Sequence, residues 1–117
     1  MQRETIMDGK AIRLRIYIGE DEHESHVTLY DVLLERFMEA GIAGVTVFQG
    51  VAGYGGGKHL RTASLLRFST DLPMIVEAID TEDKIREALA IAEELVESGL
   101  ITTDTVHARQ YRRVSKS

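Results

Sequence analysis

The chain predicts an α+β domain of order β-α-β-β-α-β, and three observations carry that expectation. Residues 12–19 alternate Ile12, Leu14, Ile16 and Ile18 with Arg13, Arg15, Tyr17 and Gly19, the period of two of a strand with one apolar face. Two later segments, one over 28–40 and one following Thr81, space their apolar residues for helices instead. Between those helices, two apolar, strand-like runs are parted by a glycine-dense stretch.

The elements follow in order. Residues 1–11 have no usable period and are expected to form a loose lead-in to a single domain over 12–114, with 115–117 as a tail. After the first strand, 20–25 is polar and reads as a loop. The first helix takes Leu29, Val32, Leu33, Phe37 and Ala40 as its apolar stripe, and Gly41 stands where a left-handed cap would end it. The second strand covers about 44–51, where Val45, Thr46, Val47 and Phe48 suit a pleated sheet. A third strand resumes near Ser64, bends at Asp71, Leu72 and Pro73, and runs to Ile79; the proline, lacking an N–H, suits a bend or an edge. Asp80 and Thr81 are natural helix N-caps, with Glu82 and Asp83 placed to complement the helix dipole. Ile85, Ala88, Leu89, Ala92, Leu95 and Val96 then form a buried stripe, Gly99 is placed to stop the helix, and a last strand covers 100–111. This order is the split βαβ of ferredoxin-like folds, in which both helices cover one face of a four-stranded antiparallel sheet. The second strand offers Val45 and Val47 to one side but Thr46 and Phe48 to the other, too apolar on both for a half-solvated sheet. The second face is therefore expected to be covered by another copy of the chain.

Composition narrows the function. At 117 residues, 44% hydrophobic and 28% charged, the chain fits one globular domain with a real core. A net charge of −5 has the wrong sign for a general binder of nucleic acid or anionic membranes. Having no cysteine excludes disulfides, thiolate metal sites and cysteine nucleophiles. There is neither an apolar run near 18 residues nor a charged-then-apolar leader, so no membrane insertion is expected and the cytoplasm is the expected location.

The glycine-dense stretch, expected as a loop over 50–62, is the first candidate site. Five of the eight residues from 50 to 57 are glycine, and each costs about 0.5–1 kcal/mol more than alanine to immobilise, so the loop is expected to be mobile until something binds it. It is not a Walker A loop: the register ending in Gly57 and Lys58 puts Ala52 at the first glycine, His59 after the lysine, and a strand downstream. A dinucleotide fingerprint fails as well, because Lys58 stands at its third glycine and no helix follows. Its backbone N–H groups can still form an anion nest, with Lys58 and Arg61 as counter-charges. His59 projects from the same loop. His23 and His26 lie among Glu20, Asp21, Glu22 and Glu24, residue types that hold divalent cations, but at a spacing that matches no specific signature. Ser64, Ser69, His59 and Asp71 are near in sequence, yet no nucleophile elbow is present and strand geometry would spread them over opposite faces. No enzyme is expected.

Several short motifs together resemble a known family. Ile16, Tyr17, Ile18, Gly19 and Glu20, then Gly44, Val45, Thr46 and Val47, then Gly53, Tyr54 and Gly55, then Asp71, Leu72 and Pro73, are similar to the domain-of-unknown-function 190 family, which looks like a branch of the PII-like signalling proteins. The likeness covers about 12–106. It implies a ferredoxin-like homotrimer whose sheets face inward, whose long loop between the second and third strands contacts a partner protein, and whose intersubunit clefts take a small anionic ligand, with an adenine nucleotide as the candidate. The resemblance places Gly53, Tyr54 and Gly55 at the base of that loop and sets Lys58 and His59 where the related loop also carries a lysine and a histidine. Gly56 and Gly57 replace the arginine and glutamine of the related proteins. Ser98, Gly99, Leu100, Ile101, Thr102 and Thr103 replace a lysine-rich phosphate loop, which leaves Arg109 or Arg112 to substitute. Two alternatives stay open: a metal-responsive trimer resembling the divalent-cation-tolerance proteins, with His23, His26 or His59 as ligands, and an assembly subunit that binds a partner without any small ligand.

Overall fold

The computed structural model describes residues 2–19, 23–24, 27–54, 61–62 and 72–114, of which 23–24 and 61–62 are described for the backbone alone. The elements are β1 (Arg3–Gly19), β2 (His23–Glu24), β3 (Val27–Thr28), α1 (Leu29–Glu39), β4 (Gly44–Gln49), β5 (Ala52–Gly53), β6 (Arg61–Thr62), β7 (Pro73–Asp80), α2 (Glu82–Leu95) and β8 (Leu100–Arg113). β4, β7, β1 and β8 lie side by side in that order, all antiparallel, with the short pairs β2–β3 and β5–β6 outside them. This is the ferredoxin-like α+β arrangement that the sequence predicts.

The alternation in β1 and β7 decides which face carries the core. Leu14, Ile16 and Ile18 on β1 and Met74, Val76 and Ala78 on β7 point to the same side, where Leu29, Leu33 and Phe37 of α1 and Ile85, Ala88 and Ala92 of α2 meet them. Phe37, Leu14, Ile16, Leu33 and Val76 are fully buried, and truncating any of the larger ones to alanine would cost about 2–5 kcal/mol.

The helix ends are fixed by specific bonds. Gly41 has φ +78, and the N–H groups of Gly41 and Ile42 donate to the carbonyls of Met38 and Phe37 at 3.1 Å each. That is a Schellman ending, completed by the packing of Ile42 with Phe37 in the core. Thr81 is the N-cap of α2, its hydroxyl accepting from the Lys84 N–H at 3.4 Å. Asp80 acts instead as a clamp: buried at 5% exposure, it accepts from the backbone N–H of Ala43 at 2.8 Å and of Thr81 at 2.7 Å. It thereby ties the start of β4 to the end of β7. Lys84 donates to the Ala40 carbonyl at 3.0 Å and holds the end of α1 against α2.

Two expectations are corrected. Residues 3–11 are not a loose lead-in but the first half of β1, paired with β8 from Arg3↔Arg113 to Ala11↔Val106. Their pattern is hard to read because no helix gives them an apolar side, the register slips between Thr5 and Met7, and Gly9 takes φ +154. Gly99 does not end α2, which stops at Leu95 with Val96 already extended. A Cβ on Gly99 would lie 2.6 Å from the Tyr17 carbonyl oxygen, so glycine is needed there for the close approach to β1.

Candidate functional site

The face of the sheet away from the helices is built of cross-strand rows. Phe48, Ile75, Tyr17 and Leu100 form one, Thr46, Glu77, Arg15 and Thr102 the next, and Gly44, Ile79, Arg13 and Asp104 a third. Only the first row is apolar throughout, and in it Phe48 and Leu100 are 46% and 57% exposed. The second strand does offer Phe48 to this side, as the sequence suggests, but the charges flanking it are joined by pairs the sequence does not reveal. Arg15 Nε donates to Glu77 at 2.7 Å, and Arg13 makes a two-point contact with Asp104 at 3.1 and 2.7 Å. The Glu77 carboxylate, followed by the Tyr17 hydroxyl, raises the Arg15 pKa above its ordinary value.

The apolar row lies at the end of the sheet from which the glycine-rich loop departs. Gln49 pairs with Met74, which pairs with Ile18, and the Gly50 N–H donates to the Pro73 carbonyl at 2.7 Å. A Cβ on Gly50 would come within 2.7 Å of the Pro73 Cγ, so this corner closes only around a glycine. Beyond it, β5 and β6 pair through Ala52↔Thr62 and Gly53↔Arg61, which cinches the base of the loop. Of the predicted site residues, the structure therefore sets Gly53 opposite Arg61 and puts Tyr54, 72% exposed, next to that base. Val51 is likewise open, at 79%. Gly55, Lys58 and His59 lie outside the described residues, as does His26.

Arg109 and Arg112 sit elsewhere. Each stands opposite an acid of β1 and is ion-paired with it, Arg109 with Asp8 at 3.6 Å and Arg112 with Glu4. Asp8 also meets His107 Nε2 at 2.8 Å. From Leu100, beside the loop end, to Arg109 is nine residues of strand, about 30 Å at ~3.3 Å per residue. One chain thus keeps the two halves of the predicted site apart. Sequence reasoning missed the Phe48, Ile75, Tyr17 and Leu100 row as a unit; its signal is the outward alternation of Tyr17, Ile75 and Phe48. Among the described residues, no group of three or more His, Asp or Glu is arranged to hold a metal ion. A shallow hollow of about 610 Å³ on the outer side of α2, lined by Asp83, Lys84, Arg86, Glu87 and Ala90, is a solvated charged surface. No helix among the described residues is long and apolar enough to cross a membrane.

Comparison with known proteins agrees with this geometry. A "UPF0166 protein" of Aquifex aeolicus (strain VF5) is 43% identical over 95 residues, covering 80% of this chain and 88% of its own. Among solved structures, CPII from Thiomonas intermedia K12, described as bound to ADP and bicarbonate, aligns with a TM-score of 0.59 at 18% identity, over 92% of this chain and 91% of its own. CutA1 from Oryza sativa aligns with a TM-score of 0.55 at 12% identity, over 86% and 82%. These structures share the fold with this chain. The family model described as DUF190, "Uncharacterized ACR", matches residues 11–108, and the chain belongs to that family, a branch with the PII-like fold.

Proposed function

We propose that the protein is a non-catalytic, PII-like regulatory protein of the cytoplasm, working as a homotrimer whose intersubunit clefts bind a small anionic ligand, with an adenine nucleotide as the first candidate. The ligand meets the loop base at Gly53, Tyr54 and Arg61, with Lys58 and His59 beyond it, and biases the 50–62 loop between states that a partner protein distinguishes. The observation that carries this reading is the cinched β5–β6 base beside an exposed apolar row, a hinge set against a surface suited to a second copy. Because Arg109 and Arg112 lie about 30 and about 40 Å along the strand from Leu100 at the loop end of the sheet, they serve that base only from a neighbouring copy. The reading draws support from CPII, a protein of the same fold described as bound to ADP and bicarbonate. A population shift of this kind requires the ligand to favour one loop state energetically.

Isothermal titration calorimetry with ADP, ATP, AMP and bicarbonate, paired with hydrogen exchange over 50–62, tests it. Saturable binding with slowed exchange in the loop is the expected result. Unchanged exchange under saturating ligand, or no binding by any of the four, overturns it. The metal-responsive alternative shares the fold and depends on His23, His26 or His59 converging in the assembly; metal retained in native mass spectra of the purified protein would favour it instead.

A further inference from the structure

Beyond Ile12 and Thr105 the β1–β8 pair runs on as a two-stranded ribbon with no third strand beside it, since β7 leaves β1 at Ile12↔Asp80. At the tip of this ribbon Arg3 stands directly opposite Arg113. The strands are still joined there, because one step further out the Val114 N–H donates to the Gln2 carbonyl at 3.1 Å. Like charges facing each other across two strands are destabilising, and here nothing compensates them. Of the eight arginines whose side chains are described, Arg13, Arg15, Arg36, Arg86, Arg109 and Arg112 each meet a carboxylate. Only Arg3 and Arg113 meet none among the described residues, and they are cross-strand neighbours. Even Glu4, next to Arg3 in the chain, turns to Arg112 instead.

We infer that the ribbon tip is a binding site for a phosphomonoester, with the Arg3 and Arg113 guanidinium groups closing on one phosphate. Arg3 lies over the Tyr111 ring, its Cζ 3.9 Å from the ring centroid. That contact orients the guanidinium and uses none of its five N–H donors. Alternation along β8 carries Tyr111 and Arg113 to the same side, so both cations rise from one exposed surface. The number of charges identifies the ligand. A carboxylate brings one charge and two oxygens, which a single guanidinium fork already satisfies. A phosphodiester also brings one charge. A phosphomonoester brings about −1.5 to −2 near neutral pH and three terminal oxygens, enough to accept a fork from each arginine. The local field agrees: over 2–11 and 106–114 five basic side chains stand against two acidic ones, in a chain of net charge −5. Within one chain the tip is separate from the loop base, since Arg113 lies ~43 Å along the strand from Leu100 at ~3.3 Å per residue. Residues 3 and 113 also fall outside the 11–108 segment matched by the family, so the site is read from this chain's own pairing.

Amide NMR titration of the full chain with phenyl phosphate, against dimethyl phosphate and acetate at matched ionic strength, tests the site. Saturable shifts centred on 2–5 and 111–114 at millimolar or lower phenyl phosphate, and absent with the other two probes, are expected. Shifts centred on 50–54, equal binding of all three probes, or no saturation overturns it. Arg3→Gln and Arg113→Gln should each weaken binding at least ~10-fold. Arg113→Lys keeps the charge but not the fork and should fall between Arg113→Gln and the parent. Arg36→Gln, which removes an ion-paired arginine elsewhere, should bind as the parent does; a loss equal to that of Arg113→Gln would reduce the effect to net charge and overturn the site. All four positions are on the surface, and an unchanged circular dichroism spectrum shows that each variant is folded. Inorganic phosphate and a tripeptide with a central phosphoserine then identify the source, both outcomes keeping the site. A peptide bound at least ~10-fold more tightly assigns the phosphate to a modified partner protein, and equal affinities assign it to a free ester. The nucleotide titration with loop exchange judges the loop-base reading separately.

Discussion

The corner formed by Gly50 and Pro73 offers a direct test of how the loop is set on the sheet. In Gly50→Ala the new Cβ would fall 2.7 Å from the Pro73 Cγ and 3.3 Å from its carbonyl oxygen. The pyrrolidine ring cannot swing aside, because it is closed onto its own backbone nitrogen. The strand end must shift instead, at the ~1–3 kcal/mol typical of overpacking. Alanine also stiffens the unfolded chain and returns about 0.4–1 kcal/mol, so the net loss should be about 0.5–2 kcal/mol. Pro73→Ala removes the Cγ but leaves the carbonyl contact, so it should relieve only part of the strain. Urea unfolding of the parent, both single variants and the double variant should show a favourable coupling of about 1 kcal/mol. Strict additivity of the two changes would refute the steric account, and a Gly50→Ala protein as stable as the parent would remove its premise.

Two further outcomes follow from the same geometry. Asp80→Ala removes both backbone acceptor contacts at the junction of β4 and β7 and should cost about 2–4 kcal/mol in urea unfolding, whereas Asp80→Asn keeps one carbonyl oxygen and should lose roughly half as much; equal losses would show that the two bonds do not carry the clamp. Arg15 has its pKa raised by Glu77 and Tyr17, so the stability it contributes is fully present below its unfolded value and is lost only as pH rises through the still higher folded value. The melting-temperature gap between the parent and Arg15→Gln should therefore stay constant from about pH 6 to 10, and a gap that closes within that window would contradict the assignment.

What the sequence disclosed depended on whether a residue's role was local. The left-handed ending at Gly41, the cap at Thr81 and the buried stripes of both helices are set by neighbours within a turn or two, and all are legible in the linear pattern. Gly99 shows the limit: a glycine near a helix end suggests a cap, but its reason is a β1 carbonyl that comes near only after folding. The open face shows the same limit in charge. Arg13 and Arg15 are visible as outward residues of the first strand, while their partners Asp104 and Glu77 lie 91 and 62 residues away. The ribbon escaped notice because period-two reasoning needs a core to impose apolar alternation, and Asp8 and Lys10 have none above them. For the candidate site, the resemblance placed Gly53 at the loop base, but neither its pairing with Arg61 nor the separation of Arg109 and Arg112 from that base was legible in the sequence.

In the proposed trimer, that separation gives assembly its functional meaning. A ligand small enough to sit at the loop base spans only a few ångströms, and no side-chain rotation of Arg109 or Arg112 bridges about 30 or about 40 Å of strand. Both guanidinium groups are moreover held by Asp8 and Glu4 directly across the ribbon, so any anion they serve must compete with a carboxylate already in place. In that reading, a second chain can bring Arg109 or Arg112 of its β1–β8 pair to another chain's loop only if the two meet in one fixed register, and a neutral face patterned with internal ion pairs suits such a contact. Its charges are already satisfied, so shape and the apolar row of Phe48, Ile75, Tyr17 and Leu100 are left to set the docking. If the proposed trimer binds its ligand at the loop base, loop and apolar row respond as a unit: the ligand acts on the contact between copies as well as on the loop itself, and by linkage the assembled form must bind that ligand more tightly or more weakly than the separated chain.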